Sequence, residues 1–238
     1  MHSNIVATVG VEHPTYGAPS LVQGVYGARG NLELAACDVT DGLWVFWYNS
    51  DLADDSLEPS DVGPGAWSAG LRFAMGQRYM DAVILQGTLG PDDLEVLALD
   101  ANAVLQSWYW SAPHGFQRRT TDAATDVASF AAEHDEGTLT VQVETRHGAH
   151  HLAVSGPSPY PERQWQQRPG ERGRNARATT TPDAAVCAVL TASGISIPEV
   201  APGTIRAADS NRCGGTTELT WRDAAGRIRH LGVPQLAR

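Results

Sequence analysis

Apolar and polar positions alternate along most of this chain. Leu32, Leu34 and Ala36 are interleaved with Asn31, Glu33 and Ala35, and Leu94, Val96 and Leu97 with Asp93 and Glu95. A period of two punctuated by Gly, Asp and Asn predicts strands, and few segments carry a helical period. Thr40-Asp41-Gly42 and Asp100-Ala101-Asn102-Ala103 each separate two such runs and read as hairpin turns. One stretch parses as strands over Ser20–Val25, Asn31–Asp38 and Leu43–Asn49, with a further strand near Trp67–Phe73. The next parses as Ala82–Gly87, Leu94–Leu99, Val104–Trp110 and Gly115–Arg119.

These two stretches are copies at an offset of 62 residues. Pro19-Ser20-Leu21-Val22-Gln23-Gly24 returns as Asp81-Ala82-Val83-Ile84-Leu85-Gln86-Gly87, Asn31-Leu32-Glu33-Leu34-Ala35 as Asp93-Leu94-Glu95-Val96-Leu97, and Leu43–Tyr48 as Leu105–Trp110. A self-similar period of this length marks one supersecondary unit used repeatedly. Degenerate copies follow. Thr138–Val143 and His150–Val154 reproduce the middle hairpin, with Phe130 in the innermost strand. Thr217–Trp221 and Ile228–Leu231 form a last copy whose inner strand is sought in Ala184–Leu190. A four-stranded unit with two open edges buries both faces only by stacking radially. The expectation is a single all-β domain over 1–238, a small β-propeller of four or five four-stranded antiparallel blades, degenerate in its C-terminal half. The blades fall at about 19–80, 81–126, 127–182 and 183–238, and a fifth unit has room in Ile195–Ala208. Asn4–Val9 is placed to complete the last blade. A β-sandwich also explains the alternation, but not the shared register.

Two insertions interrupt the repeat. Asp51 to Asp61 carries five acids, and the long loop 157–182 is rich in Pro, Gln and Arg, with Arg163, Arg168, Arg172, Arg174 and Arg177. Both read as solvated loops, with a lid as the alternative. Net charge is −10, and all basic residues are Arg, which argues against nucleic acid as a partner. The longest apolar runs are far too short to cross a bilayer. No basic start followed by an apolar stretch opens the chain, so the expected location is cytoplasmic. Cys37, Cys187 and Cys213 show no metal-type spacing, and no Cys187–Cys213 bridge is expected in a reducing compartment.

The wording of the repeat resembles the blade motif of PLL-like β-propellers, bacterial and fungal proteins related to fucose-binding lectins and tectonins. It is carried by Ser20-Leu21-Val22-Gln23, Gly30-Asn31-Leu32-Glu33-Leu34 and Gly42-Leu43 with its aromatic run to Asn49. The likeness is good over about 19–112, fair around 129–155 and weak thereafter. It implies a lectin-like protein that binds sugars between or on the blades. Where the family often has His, this chain has Val45 and Ser107, and where it has Arg, Tyr48 and Trp110. Only His151 and His230, in the weaker copies, occupy the His position.

Sugar recognition needs an aromatic face for the C–H side of a ring and planar polar groups for its hydroxyls. Trp44, Tyr48, Trp67, Tyr109 and Trp110 supply the aromatics and Arg29 a polar partner, so these are the candidate ligand-binding residues. Trp44, Phe46 and Tyr48 share one strand face, and Val45 and Trp47 the other; Trp108 and Trp110 lie opposite Tyr109. His147, His150 and His151 straddle a turn, with His134, Asp135 and Glu136 one strand away, but structural or exposed histidines explain them better than a metal site. No phosphate-binding loop, dinucleotide fingerprint or nucleophile elbow occurs, so no cofactor is expected. The leading function is a carbohydrate-binding module for a glycan or small molecule. The alternative is a propeller enzyme (lyase, cyclase or hydrolase) with His151, His230 or His147 as general base. A protein-interaction scaffold and a homodimer that completes the ring also remain open.

Overall fold

The computed structural model describes residues 6–55, 61–88, 93–135, 137–156, 163–170, 187–188, 191–192, 194, 200–201 and 203–235. The first sheet contains β2 (Thr15–Gln23), β3 (Leu32–Asp38), β4 (Leu43–Tyr48) and β5 (Leu71–Phe73). The second contains β6 (Tyr79–Gln86), β7 (Leu94–Asp100), β8 (Leu105–Ser111) and β9 (Gly115–Arg118). The third contains β10 (Val127–Asp135), β11 (Thr138–Thr145), β12 (His150–Ser155) and β13 (Gln166–Pro169). The fourth contains β14 (Arg206–Ser210), β15 (Thr216–Arg222), β16 (Ile228–Pro234) and, at its outer edge, β1 (Ala7–Val9). Each is an antiparallel meander of four strands. The first strands β2, β6, β10 and β14 all line one axial cavity, so the sheets stand as the blades of a small β-propeller.

The N-terminal strand closes the last blade: Ala7 pairs with His230 and Val9 with Ile228. The first and fourth blades are also joined by a reciprocal amide pair. Gln23 donates to Asn211 Oδ1 at 2.6 Å and accepts from the Asn211 backbone N–H at 2.8 Å.

The copies are equivalent in the pairing itself. Leu32 pairs with Gln23 and Leu94 with Gln86, each opening the second strand of its blade. The glutamines are 63 residues apart and the leucines 62, so the loop 24–30 is one residue longer than 87–92. Both loops close by the same bond, Gly24 N–H to Asn31 O and Gly87 N–H to Asp93 O, each 2.7 Å. At the far end, the second strand of each blade finishes on a side-chain acceptor that ties the hairpin turn. Asp38 accepts from the Thr40 N–H, Asp100 from Asn102 and Val104, Asp223 from Ala225 and Arg227, and Thr145 Oγ1 from Ala149.

Every residue of β3 and β7 is buried, the polar ones included. The alternation therefore does not divide core from solvent. In the first two blades the sheet is covered on both faces, and alternate residues serve two different junctions, whereas β11 of the third blade alternates buried and partly exposed positions. Leu21, Leu32, Leu34 and Phe46 pack with Val9 and Ile228 of the fourth blade. Ala35, Cys37, Leu43 and Val45 pack with Tyr79, Ala82, Ile84, Leu94 and Val96 of the second. Leu97, Leu99 and Leu105 in turn meet Phe130, Leu139, Val141 and Val143 of the third.

Three expectations are corrected. The inner strand of the fourth blade is β14, not Ala184–Leu190; Cys187 and Ala188 are helical, and the rest of that segment lies outside the described residues. The loop 157–182 is not all loop, because β13 forms the outer edge of the third blade. Nor is it all solvated, since Arg163 is 2 % exposed. Arg172, Arg174, Arg177, Glu58, Glu136 and 195–199 of the sought fifth unit lie outside the described residues. Among the described residues Cys37, Cys187 and Cys213 form no disulfide.

Candidate ligand site at the junctions between blades

The second strand carries a glutamate at the same step in three blades: Glu33, Glu95 and Glu218. The third blade has Thr140 there. All three carboxyl groups are buried, at 6 %, 3 % and 0 % exposure, and each faces a different junction. What surrounds them differs.

Between the fourth and first blades, Glu218 is held from several sides. Its Oε1 accepts from Ser210 Oγ at 2.7 Å and from Arg212 Nη1 at 2.9 Å, and its Oε2 bonds to His230 Nε2 at 2.8 Å. Burial alone would raise the Glu218 carboxyl, yet the His230 hydrogen bond and the Arg212 charge hold it below the ordinary carboxylate range. The room for this comes from Gly232, opposite Glu218, where a Cβ would stand 2.7 Å from Glu218 Oε2. Arg212 opens a 3-10 turn, Arg212–Gly214, anchored through its carbonyl by the Gly215 N–H at 2.8 Å and Thr216 Oγ1 at 2.7 Å. Its guanidinium lies 4.5 Å over the Tyr48 ring, and Nη2 donates to Tyr48 Oη at 3.3 Å. Trp67 meets Tyr48 edge-on at 5.5 Å and His230 at 5.2 Å. A carboxylate, a guanidinium, an imidazole and two aromatic rings thus share one junction.

Between the second and third blades a carboxylate, two guanidinium groups and two aromatic rings come together, with the cations closed off from solvent. Glu95 accepts from Ser107 Oγ, from Arg119 Nη2 at 3.2 Å and from Arg163 Nη2. Arg119 lies 5.0 Å over the Tyr109 ring and Arg163 5.7 Å over that of Trp165. Both guanidinium groups are buried. Between the first and second blades Glu33 has no hydrogen-bond or ionic partner among the described residues, and burial pushes its carboxyl up to about 8. Trp108 and Trp110 pack into this junction with Phe73 and Phe116.

The sequence-derived candidates are therefore distributed rather than gathered. Tyr48 and Trp67 meet at the fourth–first junction, Trp110 belongs to the first–second and Tyr109 to the second–third. Trp44 faces the fourth blade, but its indole N–H is bound to Asp38 at 2.7 Å and its ring is stacked on His13 at 3.7 Å. Arg29 is an exposed loop residue paired with Asp55 at 2.6 Å. His230 joins the Glu218 cluster. His151 lies in β12 opposite Val143 and Pro169, and His147 is a surface residue 3.8 Å from Asp126 Oδ2. Among the described residues no group of three metal-ligating side chains converges. No helix of the described residues is long and apolar enough to cross a membrane.

Sequence reasoning missed Arg212, Glu218, Arg119, Arg163 and Trp165. Thr217-Glu218-Leu219 echoes Leu32-Glu33-Leu34 and Leu94-Glu95-Val96, so a third equivalent glutamate was readable. The arginines carry no such mark, because they arrive from loops.

No family model matches the chain, and no curated protein matches it. Solved lectins resemble it. A mutant of the Aleuria aurantia lectin in complex with alpha-methyl-L-fucoside aligns with a TM-score of 0.44 at 10 % identity, over 97 % of this chain and 81 % of that one. AofleA from Arthrobotrys oligospora aligns with a TM-score of 0.41 at 13 % identity, over 96 % of this chain and 56 % of that one.

Proposed function

We propose that this protein binds carbohydrate, and that the fourth–first junction is its principal site. The observation that carries this reading is the cluster of Arg212, Glu218 and His230 beside Tyr48 and Trp67. A pyranose offers hydroxyls that both donate and accept, and one apolar C–H face. The Arg212 side chain is 17 % exposed and donates to the Tyr48 hydroxyl. Glu218 and His230 lie beneath and fix the guanidinium in place, while Tyr48 and Trp67 supply the rings. The recurrence of the glutamate in two further junctions supports a site type built into the repeat. There, however, Glu95 is engaged by Arg119 and Arg163, and Glu33 lacks a guanidinium.

The enzymatic alternative draws less support. His230 is 4 % exposed and its Nε2 is held on Glu218, so the ring is positioned as a structural partner more than as a base open to substrate.

A glycan array that includes α-L-fucosides tests the proposal, followed by calorimetry on the best ligand. The expected result is saturable binding that falls by at least about tenfold in Arg212→Ala and in Tyr48→Ala, a loss of about 1.4 kcal/mol or more. Array-wide silence from folded protein would remove the carbohydrate reading. Binding untouched by both substitutions would move the site elsewhere.

A further inference from the structure

The four inner strands enclose a cavity of about 540 Å³ on the propeller axis. Its size falls in the range of small-molecule sites. Much of the wall is apolar, with Leu21, Val83 and Phe130 among its lining residues. Two opposite charges break that surface: Asp81 at the start of β6 and Arg206 at the start of β14. They act on one another, yet they form no ion pair among the described residues. Among the described residues, the only hydrogen bond to the Asp81 carboxylate comes from the adjacent Ala82 N–H at 2.9 Å. Arg206 uses Nη1 on the carbonyls of Ile205 at 3.0 Å and Gly203 at 3.3 Å, and no side chain among the described residues takes up its guanidinium. A third charged group, Glu144, is engaged by Ser129 Oγ at 2.9 Å on the cavity wall.

Two desolvated, opposite, mutually unpaired charges facing one cavity are unfavourable unless something bridges them. Burial raises the Asp81 carboxyl against the pull of Arg206 and lowers Arg206 against the pull of Asp81. A ligand with an ammonium at one end and a carboxylate at the other satisfies both at once, and an apolar body between them suits the wall. The carboxylate would match the planar guanidinium. We propose that the axial cavity binds a small zwitterion of the α-amino-acid class, its ammonium on Asp81 and its carboxylate on Arg206. This site shares no residue with the cluster of Arg212, Glu218, His230, Tyr48 and Trp67 and does not rest on the carbohydrate reading.

The test is calorimetric titration of the wild-type protein with the proteinogenic L-amino acids, then with the N-acetyl and amide derivatives of any that bind. At least one apolar amino acid is expected to bind at a single site, and blocking either end should weaken it by at least about tenfold. Asp81→Asn and Arg206→Gln, checked by circular dichroism for retained fold, should each lose binding to a similar degree. The proposal is overturned if no amino acid binds, if the blocked derivatives bind equally well, or if both folded variants bind as the wild type does.

Discussion

Glu33→Gln is expected to stabilise the protein, and to do so more strongly as pH rises. Glu33 is 6 % exposed, with no hydrogen-bond or ionic partner among the described residues, and burial pushes its carboxyl from an ordinary 4.5 to about 8. Between those values the folded chain keeps a proton that the unfolded chain releases. Stability is therefore full below pH 4.5, is lost progressively as pH rises, and levels off above about pH 8. At about 1.4 kcal/mol per pH unit, the interval from 4.5 to about 8 amounts to about 5 kcal/mol. Glutamine keeps the shape and removes the ionisation. Every other titrating group is common to both proteins, so the difference between them isolates this carboxyl. Urea unfolding of both proteins across the same pH series reads it, by linear extrapolation at each pH. The curves should nearly coincide in acid and diverge by several kcal/mol in base. Parallel curves would show that Glu33 finds a compensating cation or water, and the burial argument would fall.

Three further substitutions probe the junctions. Glu95→Ala withdraws the carboxylate shared by Arg119 and Arg163, each 2 % exposed, and should cost about 3–5 kcal/mol in chemical denaturation; a loss under about 1 kcal/mol would mean the cluster is not dry. Gly70→Ala would set a Cβ 2.4 Å from Phe46 Cε1 at φ +95°, so it should lower stability by more than about 1 kcal/mol. Gly10→Ala meets the same ring at 2.4 Å, and the double variant should be less harmful than the sum of the two. Thermal melts of all three check this, and strict additivity would show that Phe46 does not move.

The fold was largely legible because each blade is a local object. Strands joined by short hairpins are read from alternation and turn residues within about fifty positions, and the N-terminal strand was placed by its position ahead of the first unit. The fourth blade was harder, since its inner strand Arg206-Ala207-Ala208-Asp209-Ser210 is too polar and small to stand out from a loop. The candidate site was legible only in part. Tyr48 and Trp67 fell on successive strands of one blade, and nothing in the sequence brought His230 of the last copy to them.

Strand positions, hairpin turns and the repeat are properties of neighbouring residues, and the amino-acid order alone determined them. It also determined that Glu33, Glu95 and Glu218 would be equivalent. Glu218 takes Ser210, Arg212 and His230 from its own blade, whereas Glu95 gains Arg163 only when the second and third blades come face to face. A junction draws one wall from each of two blades and its cations from loops: Arg212 reaches Tyr48 across 164 residues, and Arg163 reaches Glu95 across 68. Charge compensation in a buried space depends on contacts of a few ångströms, and chain separation carries no information about them.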